Sequence, residues 1–381
     1  MIYLDNNATT RVAPEALEAM RPWMDEAYGN PSAGYRFGRE ARRAVDEARG
    51  QVADLIGADP GEIIFTSGGT ESNNAAIRSA LSLRPELRSI LTSTVEHSAI
   101  EEVVKFYEST GYNARFNPVD SAGRIDLEAW KEHLSTNGMA LATLMWANNE
   151  TGVISPLVEA ASLAAEHDVY FHTDAVQAVG KIPLQVGNLP IHTLSLSAHK
   201  LHGPKGIGAL WVNRRTRFLP STLGGGQENE RRSGTENVPA IVGFGVAAGL
   251  ASRALESHKD ISALRDRFES GVVEAVPGVE INGDPAMRLP NTSNLFFPGV
   301  DGEGLLILLD EAGVCCSPGS ACSTGQVKPS RIVRAMGHSN ARARSSVRFS
   351  LSRFTTAAEI NAAIAAVARC VSKLRVVLPG R

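Results

Sequence analysis

The stretch Ser197-Ala198-His199-Lys200 follows a strand-like apolar run, Ile191 to Leu196, and ends in a histidine and a lysine. Upstream, the run Asp168-Val169-Tyr170-Phe171 leads into His172-Thr173-Asp174 and so ends in a carboxylate. In sheets of parallel strands, ligands bind beyond the carboxyl ends of the strands. The sequence therefore predicts a carboxylate and an amine at the ligand-binding edge of a sheet.

A carboxylate and an amine in this arrangement suit pyridoxal 5'-phosphate. Lys200 would bind the cofactor aldehyde covalently, and Asp174 would pair with the pyridinium nitrogen and keep it protonated. A protonated pyridinium accepts electrons, which makes carbanion chemistry possible at neutral pH. A surface lysine and a strand-end aspartate are each common alone, so this interpretation depends on further motifs.

Length and composition describe an ordinary globular chain. The chain has 381 residues, which is more than a single hydrophobic core usually contains, so two domains are expected. The net charge of −3 gives no reason to invoke nucleic acid or an anionic membrane, and no apolar run is long enough to span a bilayer. The start lacks a signal-peptide pattern. Four cysteines (Cys315, Cys316, Cys322, Cys370) form neither a disulfide framework nor a Cys-x-x-Cys zinc pattern, so a reducing cytoplasm is expected.

Helix-period and strand-like segments alternate over some 200 residues. Apolar residues at helical spacing predict a helix over residues 38–57 with Gly57 as its C-cap. Strands are predicted at 62–66, 89–92, 140–146, 169–173, 193–197 and 207–212. Further helices are predicted at 238–255, 261–276, 302–312 and 357–374, with strands at 294–297 and 346–350. The alternation implies an α/β fold with a mainly parallel sheet covered by helices on both faces.

Ser67-Gly68-Gly69-Thr70 lies between a predicted strand and a predicted helix. Glycines let the backbone approach a ligand closely, and the helix N-terminus presents unpaired N–H groups to an anion. The same glycines also serve an ordinary strand–helix turn. The segment therefore suits a phosphate but does not require one.

Taken together, these motifs resemble cysteine desulfurases of the NifS/IscS group, which belong to the class V aminotransferases and to the fold-type I pyridoxal phosphate enzymes. The resemblance runs from end to end through the blocks Tyr3–Thr10, Phe65–Ser72, Ala147–Gly152, His172–Gln177, Ser197–Gly206, Arg232–Asn237, Gly319–Ser323 and Val347–Ser350. Met145–Glu150 and Ile191–Leu196 favour the NifS-like branch.

The resemblance implies a division into two domains. Residues 12–255 would form the large cofactor-binding domain around a mainly parallel seven-stranded sheet covered by helices. Residues 1–11 and 256–381 would form a smaller α+β domain. Within the smaller domain, residues 316–328 would form a mobile loop that carries the catalytic cysteine.

The resemblance also assigns roles to individual residues. The catalytic residues would be Cys322, Lys200 and His97, which would also stack on the cofactor ring. The cofactor would be bound by Gly69, Thr70, His97, Asn149, Asp174, Gln177, Ser197, His199, Lys200 and, from a second subunit, Thr235. The substrate would be bound by Asn7, Asn149 and Arg348, whose planar guanidinium suits a carboxylate.

The implied activity is the conversion of L-cysteine to L-alanine with transfer of the sulfur to Cys322 as a persulfide. The chain would act as a homodimer and pass the sulfur to an iron–sulfur scaffold protein, with nitrogenase among the recipients. Small residues and glycine surround Cys322, which suits a loop that reaches a buried substrate and then presents its cargo. Cys322 would also be a transient ligand of an iron–sulfur cluster shared with the scaffold.

Three other functions stay open at this stage. Selenocysteine lyase activity would use the same residues, whereas an aminotransferase would need Lys200 and Asp174 but not Cys322. A non-catalytic scaffold would use the cysteines to hold an iron–sulfur cluster. General iron–sulfur assembly and tRNA thiolation remain alternatives to nitrogenase. Cys315-Cys316 is either a buried strand or, through Cys316, an acceptor or protector of the Cys322 sulfur.

Overall fold

The computed structural model describes residues 1–318 and 328–377. Its strands are β1 (Ile2–Tyr3), β2 (Ile63–Thr66), β3 (Ser89–Ser93), β4 (Asn113–Asn117), β5 (Met139–Thr143), β6 (Tyr170–Asp174), β7 (Thr193–Ser197), β8 (Gly208–Val212), β9 (Glu280–Ile281), β10 (Thr292–Phe296), β11 (Val314–Cys315) and β12 (Ser346–Ser350). Its helices are α1 (Pro14–Met20), α2 (Arg36–Ile56), α3 (Gly69–Leu83), α4 (Ser98–Ser109), α5 (Leu127–Leu134), α6 (Leu157–Glu166), α7 (Val238–Ala254), α8 (His258–Ala275), α9 (Gly302–Glu311), α10 (Arg331–Ala335), α11 (Asn340–Arg344) and α12 (Ala357–Val377).

Seven strands form the main sheet in the order β2-β8-β7-β6-β5-β3-β4. The pairs from β7 to β4 are parallel, and β8 runs antiparallel to both of its neighbours. Every residue of β5, β6, β7 and β8 is buried, as expected for strands covered on both faces. The predicted α/β class and the mainly parallel seven-stranded sheet are confirmed.

Two hydrophobic cores accompany this sheet. The larger core lies around the sheet and its helices and contains Trp130, Phe171, Trp211 and Phe244. The second core is formed mainly by β10, β12 and helices α8, α9 and α12 around Phe268. The two cores resemble the expected large and small domains, whose boundaries at residues 11/12 and 255/256 stay a prediction.

The N-terminal segment links the second core to the main sheet. Asn6 N donates to Ser350 O on β12, and Thr10 N donates to His199 O just after β7, at 3.1 and 3.0 Å. The backbone of Asn7 and Ala8 lies between these two anchors. This route places the segment beside Lys200.

The helix predictions agree closely with the structure. Helix α2 ends at Ile56, and Gly57 takes a left-handed conformation (φ +66°) that closes the helix, as predicted. Within the described ranges, no single helix is long and apolar enough to cross a membrane. Helices α7 and α8 taken together have the length and apolar composition of a membrane span, but their axes are bent by 77° relative to each other.

Candidate active site

Lys200 ends a short helical turn, Ala198–Lys200, directly after β7. Its Nζ donates to the backbone oxygens of Asn7 and Ala8, both at 2.6 Å. The pKa of Lys200 is lowered to about 8, mainly by burial and next by the charge of Arg348, while Asp5 and Asp174 oppose the shift. A substantial fraction of the amine is therefore neutral near neutral pH, which is the form that attacks an aldehyde.

Asp174 is the last residue of β6, the strand next to β7. Its side chain is only 5% exposed, and each carboxylate oxygen accepts one hydrogen bond. Oδ1 accepts from Val176 N at 3.0 Å, and Oδ2 accepts from Asn73 Nδ2 at 2.7 Å. These two donors fix the orientation of the carboxylate, as a partner for a pyridinium nitrogen requires.

A chain of buried side chains continues behind Asp174. Asn73 Oδ1 lies 3.0 Å from His172 Nε2, and His172 Nδ1 lies 2.9 Å from Thr193 Oγ1. Because Asn73 donates through Nδ2 to a carboxylate, its oxygen accepts from His172, so the imidazole proton is on Nε2 and Thr193 donates to Nδ1. Burial lowers the pKa of His172 to about 3, which keeps the ring neutral. In this series of hydrogen bonds, Thr193 donates to His172, His172 donates to Asn73 and Asn73 donates to Asp174.

Sequence reasoning did not identify Asn73 as part of the site. A signal existed: Asn73 follows Gly69 by four residues on α3, so both lie on one face of the helix. The neighbouring Asn74 is exposed and donates to Thr70 O. Residue type alone does not separate the two asparagines.

Asn73→Ala is expected to weaken cofactor binding by about 10- to 100-fold. The variant removes one hydrogen bond to a buried charge, which contributes about 1.5–3 kcal/mol. The dissociation constant of pyridoxal phosphate measures the effect, with Asn74→Ala as the matched control. Equal affinities in the two variants would contradict a role for Asn73.

An open pocket of about 410 Å³ lies at the start of α3. Four of the residues predicted to bind the cofactor line this pocket: Gly69, Thr70, Ser197 and His199. The other lining residues are Thr9, Ser67, Gly68, Glu71, Lys205 and Gly206. A Cβ added to Gly69 would lie 2.7 Å from Val176 Cγ2, so the backbone packs more closely here than a side chain allows. Lys205 and Thr9 were missed by sequence reasoning, and Lys205 adds positive charge to a pocket that suits a phosphate.

His97 caps the N-terminus of α4, where its Nδ1 accepts from Ala99 N at 3.1 Å. The ring proton is therefore on Nε2. Desolvation lowers the pKa of His97, Asp174 opposes this shift and Lys200 adds to it. The ring is therefore influenced by the charges of both residues, and its position over the cofactor stays a prediction.

Arg348 lies on β12 and is 3% exposed. Its Nη2 pairs with Asp5 Oδ1 at 2.7 Å and its Nη1 donates to Asn149 O at 2.9 Å. The buried Nε has no hydrogen-bond partner among the described residues. Asn149 O also accepts from Asn7 Nδ2 at 3.2 Å, and Asn7 O accepts from Lys200. Two residues, Asn7 and Asn149, thus connect Arg348 to Lys200.

Gln177 joins the same cluster. Its Nε2 donates to Asn7 O at 3.0 Å, and its Oε1 accepts from the Lys181 ammonium or amine at 2.6 Å. Neither Lys181 nor Asp5 was identified from the sequence. The structure therefore brings together the predicted substrate residues Asn7, Asn149 and Arg348 with the predicted cofactor residue Gln177.

Two predicted residues are not brought into this site by the described chain. Thr235 is exposed and is not among the residues that line the pocket at α3. Cys322 lies outside the described residues. Of the cysteines in the described part, Cys316 packs against the second core, and burial raises the pKa of its thiol. Cys315 is the last residue of β11, which agrees with the strand predicted at Cys315-Cys316. The raised pKa of Cys316 disfavours its thiolate, which is the form that would accept sulfur from Cys322.

The described residues contain no cluster of three or more His, Cys, Asp or Glu side chains able to hold a metal ion. Their arrangement fits pyridoxal 5'-phosphate instead. A lysine with a lowered pKa, a buried carboxylate with two donors and a close-packed glycine pocket occupy one edge of the main sheet. Fold and site together define a fold-type I pyridoxal phosphate enzyme.

Comparison with known proteins identifies the family. The aminotransferase class-V model matches residues 2–363. The chain is 50% identical over 379 residues to cysteine desulfurase 2 of Trichormus variabilis, covering 100% of this chain and 95% of the relative. It is 47% identical over 380 residues to cysteine desulfurase NifS of Azotobacter vinelandii, covering 99% and 94%. The chain therefore belongs to the class-V aminotransferase family and, within it, to the NifS-like cysteine desulfurases, and the family's cofactor is pyridoxal phosphate.

The solved structures agree with this assignment. A structure described as a NifS-like protein superposes with a TM-score of 0.92 at 35% identity, covering 98% of this chain and 100% of that one. The fold-type I architecture predicted from the sequence is confirmed.

Proposed function

We propose that the chain is a pyridoxal phosphate-dependent cysteine desulfurase that converts L-cysteine to L-alanine and transfers the sulfur to Cys322. The observation that carries the proposal is the connected cluster of Lys200, Asn7, Asn149 and Arg348. It places a lysine with a lowered pKa near a guanidinium suited to an amino-acid carboxylate.

Arg348 is the proposed binding site for the substrate carboxylate. The guanidinium is buried, and its Nε still lacks a partner among the described residues. Asp5 pairs with Nη2 and neutralises part of this buried charge before substrate arrives. A substrate carboxylate would add hydrogen bonds in a site with little water, where charge-assisted bonds are strong.

Proton transfer at the substrate Cα is assigned to Lys200. Bound pyridoxal phosphate supplies the electron sink that makes this proton acidic. Asp174 favours the protonated ring nitrogen that the sink needs, and Asn73 and His172 hold Asp174 in place. The lowered pKa of Lys200 suits a base that works near neutral pH.

Sulfur transfer is assigned to Cys322. The chain leading to this residue is anchored at Ser317, whose N donates to Arg348 O at 3.1 Å and whose O accepts from Arg348 N at 2.7 Å. Cys322 follows Ser317 by five positions, so the two residues can be at most about 17 Å apart. The Cys322 thiolate attacks the substrate sulfur; an S–S bond forms, the Cβ–S bond breaks, and its electron pair takes up a proton to give L-alanine.

The assembly and the sulfur acceptor are part of the proposal. Thr235 is exposed outside its own subunit's pocket, which suits a ligand for the phosphate bound by a second copy of the chain. A homodimer with shared sites follows. The proposed acceptor is an iron–sulfur scaffold protein, with nitrogenase assembly as one destination, and the proposed location is the cytoplasm.

Release of alanine from L-cysteine tests the function. Wild-type holoenzyme with a reductant is expected to form alanine, and Cys322→Ala is expected to lose nearly all of this activity because the proposed reaction needs the Cys322 thiolate. Cys315→Ala is the matched control. Alanine at the wild-type rate from Cys322→Ala would remove Cys322 from the reaction, and no alanine from either protein would overturn the assignment.

A further inference from the structure

Lys181 is a buried lysine that the proposed reaction does not use. Its side chain is 9% exposed, and buried lysines are rare unless partners satisfy them. Lys181 follows Gln177 by four residues in a helix-like turn, in which Val179 N donates to Ala175 O at 2.9 Å. This spacing places Lys181 and Gln177 on the same side of the turn.

The two hydrogen bonds that the Lys181 side chain donates both reach oxygen atoms of the active-site cluster. Its Nζ donates to Asn7 Oδ1 at 2.9 Å and to Gln177 Oε1 at 2.6 Å. A neutral amine has two N–H bonds, so it satisfies both oxygens without carrying a charge. Burial lowers the pKa of Lys181 well below its ordinary value, which favours the neutral amine. The neutral amine still makes both hydrogen bonds.

The orientation of the Gln177 amide follows from its two neighbours. Asn7 O is a carbonyl oxygen and only accepts, so Gln177 Nε2 must face it. Lys181 then donates to Oε1 on the other side. Without Lys181, Oε1 would lose its donor, and the amide would be held on one side only, by Asn7 O, so its position would be less restricted. Gln177 in the observed orientation uses one N–H on Asn7 and keeps one for another acceptor.

We propose that Lys181 is a positioning residue that holds the Gln177 amide so that its N–H is presented to the cofactor's ring hydroxyl. The inference rests on the proposed role of Gln177 beside the cofactor. It also accounts for a lysine buried near two other cationic groups, Lys200 and Arg348. Other titratable groups around Lys181 are His199, His202 and His258.

The test is a pH titration of the visible absorbance of the bound cofactor in holoenzyme. A hydrogen bond to the ring oxygen stabilises its anionic form, so losing it should raise the titration midpoint. Lys181→Met is expected to raise the midpoint by about half a unit to one unit and to weaken cofactor binding about 3- to 10-fold. Lys105→Met, at an exposed position, is the control and should leave both values unchanged.

Gln177→Leu and the double variant distinguish the possible failures. Lys181→Met and Gln177→Leu should shift the midpoint in the same direction, and the double variant should match Gln177→Leu alone. A shift in Gln177→Leu but not in Lys181→Met would overturn the inference and leave the role of Gln177 intact. No shift in Gln177→Leu would overturn both. Lower thermal stability of Lys181→Met with an unchanged midpoint would show a merely structural role.

A folding failure of Lys181→Met still leaves a test. Lys181→Leu also removes the donor and is the second variant, so its midpoint is expected to rise as in Lys181→Met. An unchanged midpoint in Lys181→Leu together with a shifted midpoint in Gln177→Leu would overturn the inference. Release of alanine is measured separately, so loss of the proposed activity is not confused with loss of this effect.

Discussion

Lys200→Ala is expected to lower the rate of alanine release by about 10⁴-fold or more. The variant removes both the amine that binds the cofactor covalently and the base that takes the substrate proton, and a positioned base alone contributes about 10²–10⁴. The fold should persist, because Lys200 is half-buried and its contacts are two backbone oxygens. Steady-state alanine release measures the activity. Reduction of the holoenzyme with borohydride followed by denaturation measures the covalent link: wild type should keep its cofactor, and Lys200→Ala should release all of it.

The pH dependence of cofactor uptake gives a second measure of Lys200. With a pKa of about 8, roughly a quarter of the amine is neutral at pH 7.5, against about one part in a thousand for an ordinary lysine. The rate at which cofactor-free wild type binds pyridoxal phosphate should therefore rise with pH and level off above about 8. The exposed Lys131→Ala should behave as wild type. A rate that keeps rising to pH 10 would contradict the lowered pKa.

The sequence predicted best those strands whose hydrophobic pattern matches their burial in the fold. Strands 193–197 and 346–350 are found at the predicted residues, because alternating or apolar residues are bounded by turns and every position is buried. Strand β4, Asn113–Asn117, was not identified individually. It lies at the edge of the sheet, is largely polar and is only partly buried, so hydrophobic patterning gives little signal.

The end of β5 shows a different limit. The apolar run predicted a strand over residues 140–146, whereas β5 spans Met139–Thr143. The chain beyond Thr143 stays buried and still bonds to the neighbouring strand, with Trp146 N donating to Asp174 O at 2.9 Å. Composition cannot separate a regular strand from a buried segment that leaves the ladder as it reaches the site.

Some candidate site residues could be predicted from local sequence, and others could not. Lys200, Asp174 and the glycine pocket follow from residues at strand ends, where α/β sheets bind ligands. Asp5, Asn73 and Lys181 depend on contacts between distant parts of the chain. Asp5 and Arg348 are 343 positions apart, and Asn73 and Asp174 are 101 apart. No local pattern indicates that such residues meet, so the positioning residues become visible only once the chain is folded.

Asp174→Ala is expected to lower the rate of alanine release by about 100- to several-thousand-fold and to weaken cofactor binding. Removing one partner of a buried charged pair costs about 3–5 kcal/mol, and here the unpaired partner would be the cofactor's pyridinium nitrogen. The loss should appear mainly in kcat, because the proposed role of Asp174 is to stabilise the electron-accepting state, whereas the proposed role of Arg348 is to bind the substrate carboxylate. Steady-state kinetics with saturating cofactor measure this split.

Asp174→Asn separates charge from shape. It keeps the size of the side chain, but its amide cannot accept from Asn73 and Val176 at once and also pair with a protonated nitrogen. Its kcat should therefore fall almost as far as in Asp174→Ala, while the exposed Asp54→Ala should match wild type. Nearly normal kcat in Asp174→Asn would mean that the negative charge is not needed. That result would count against the pyridinium role of Asp174 and leave the hydrogen-bond chain through Asn73 and His172 with a purely structural purpose.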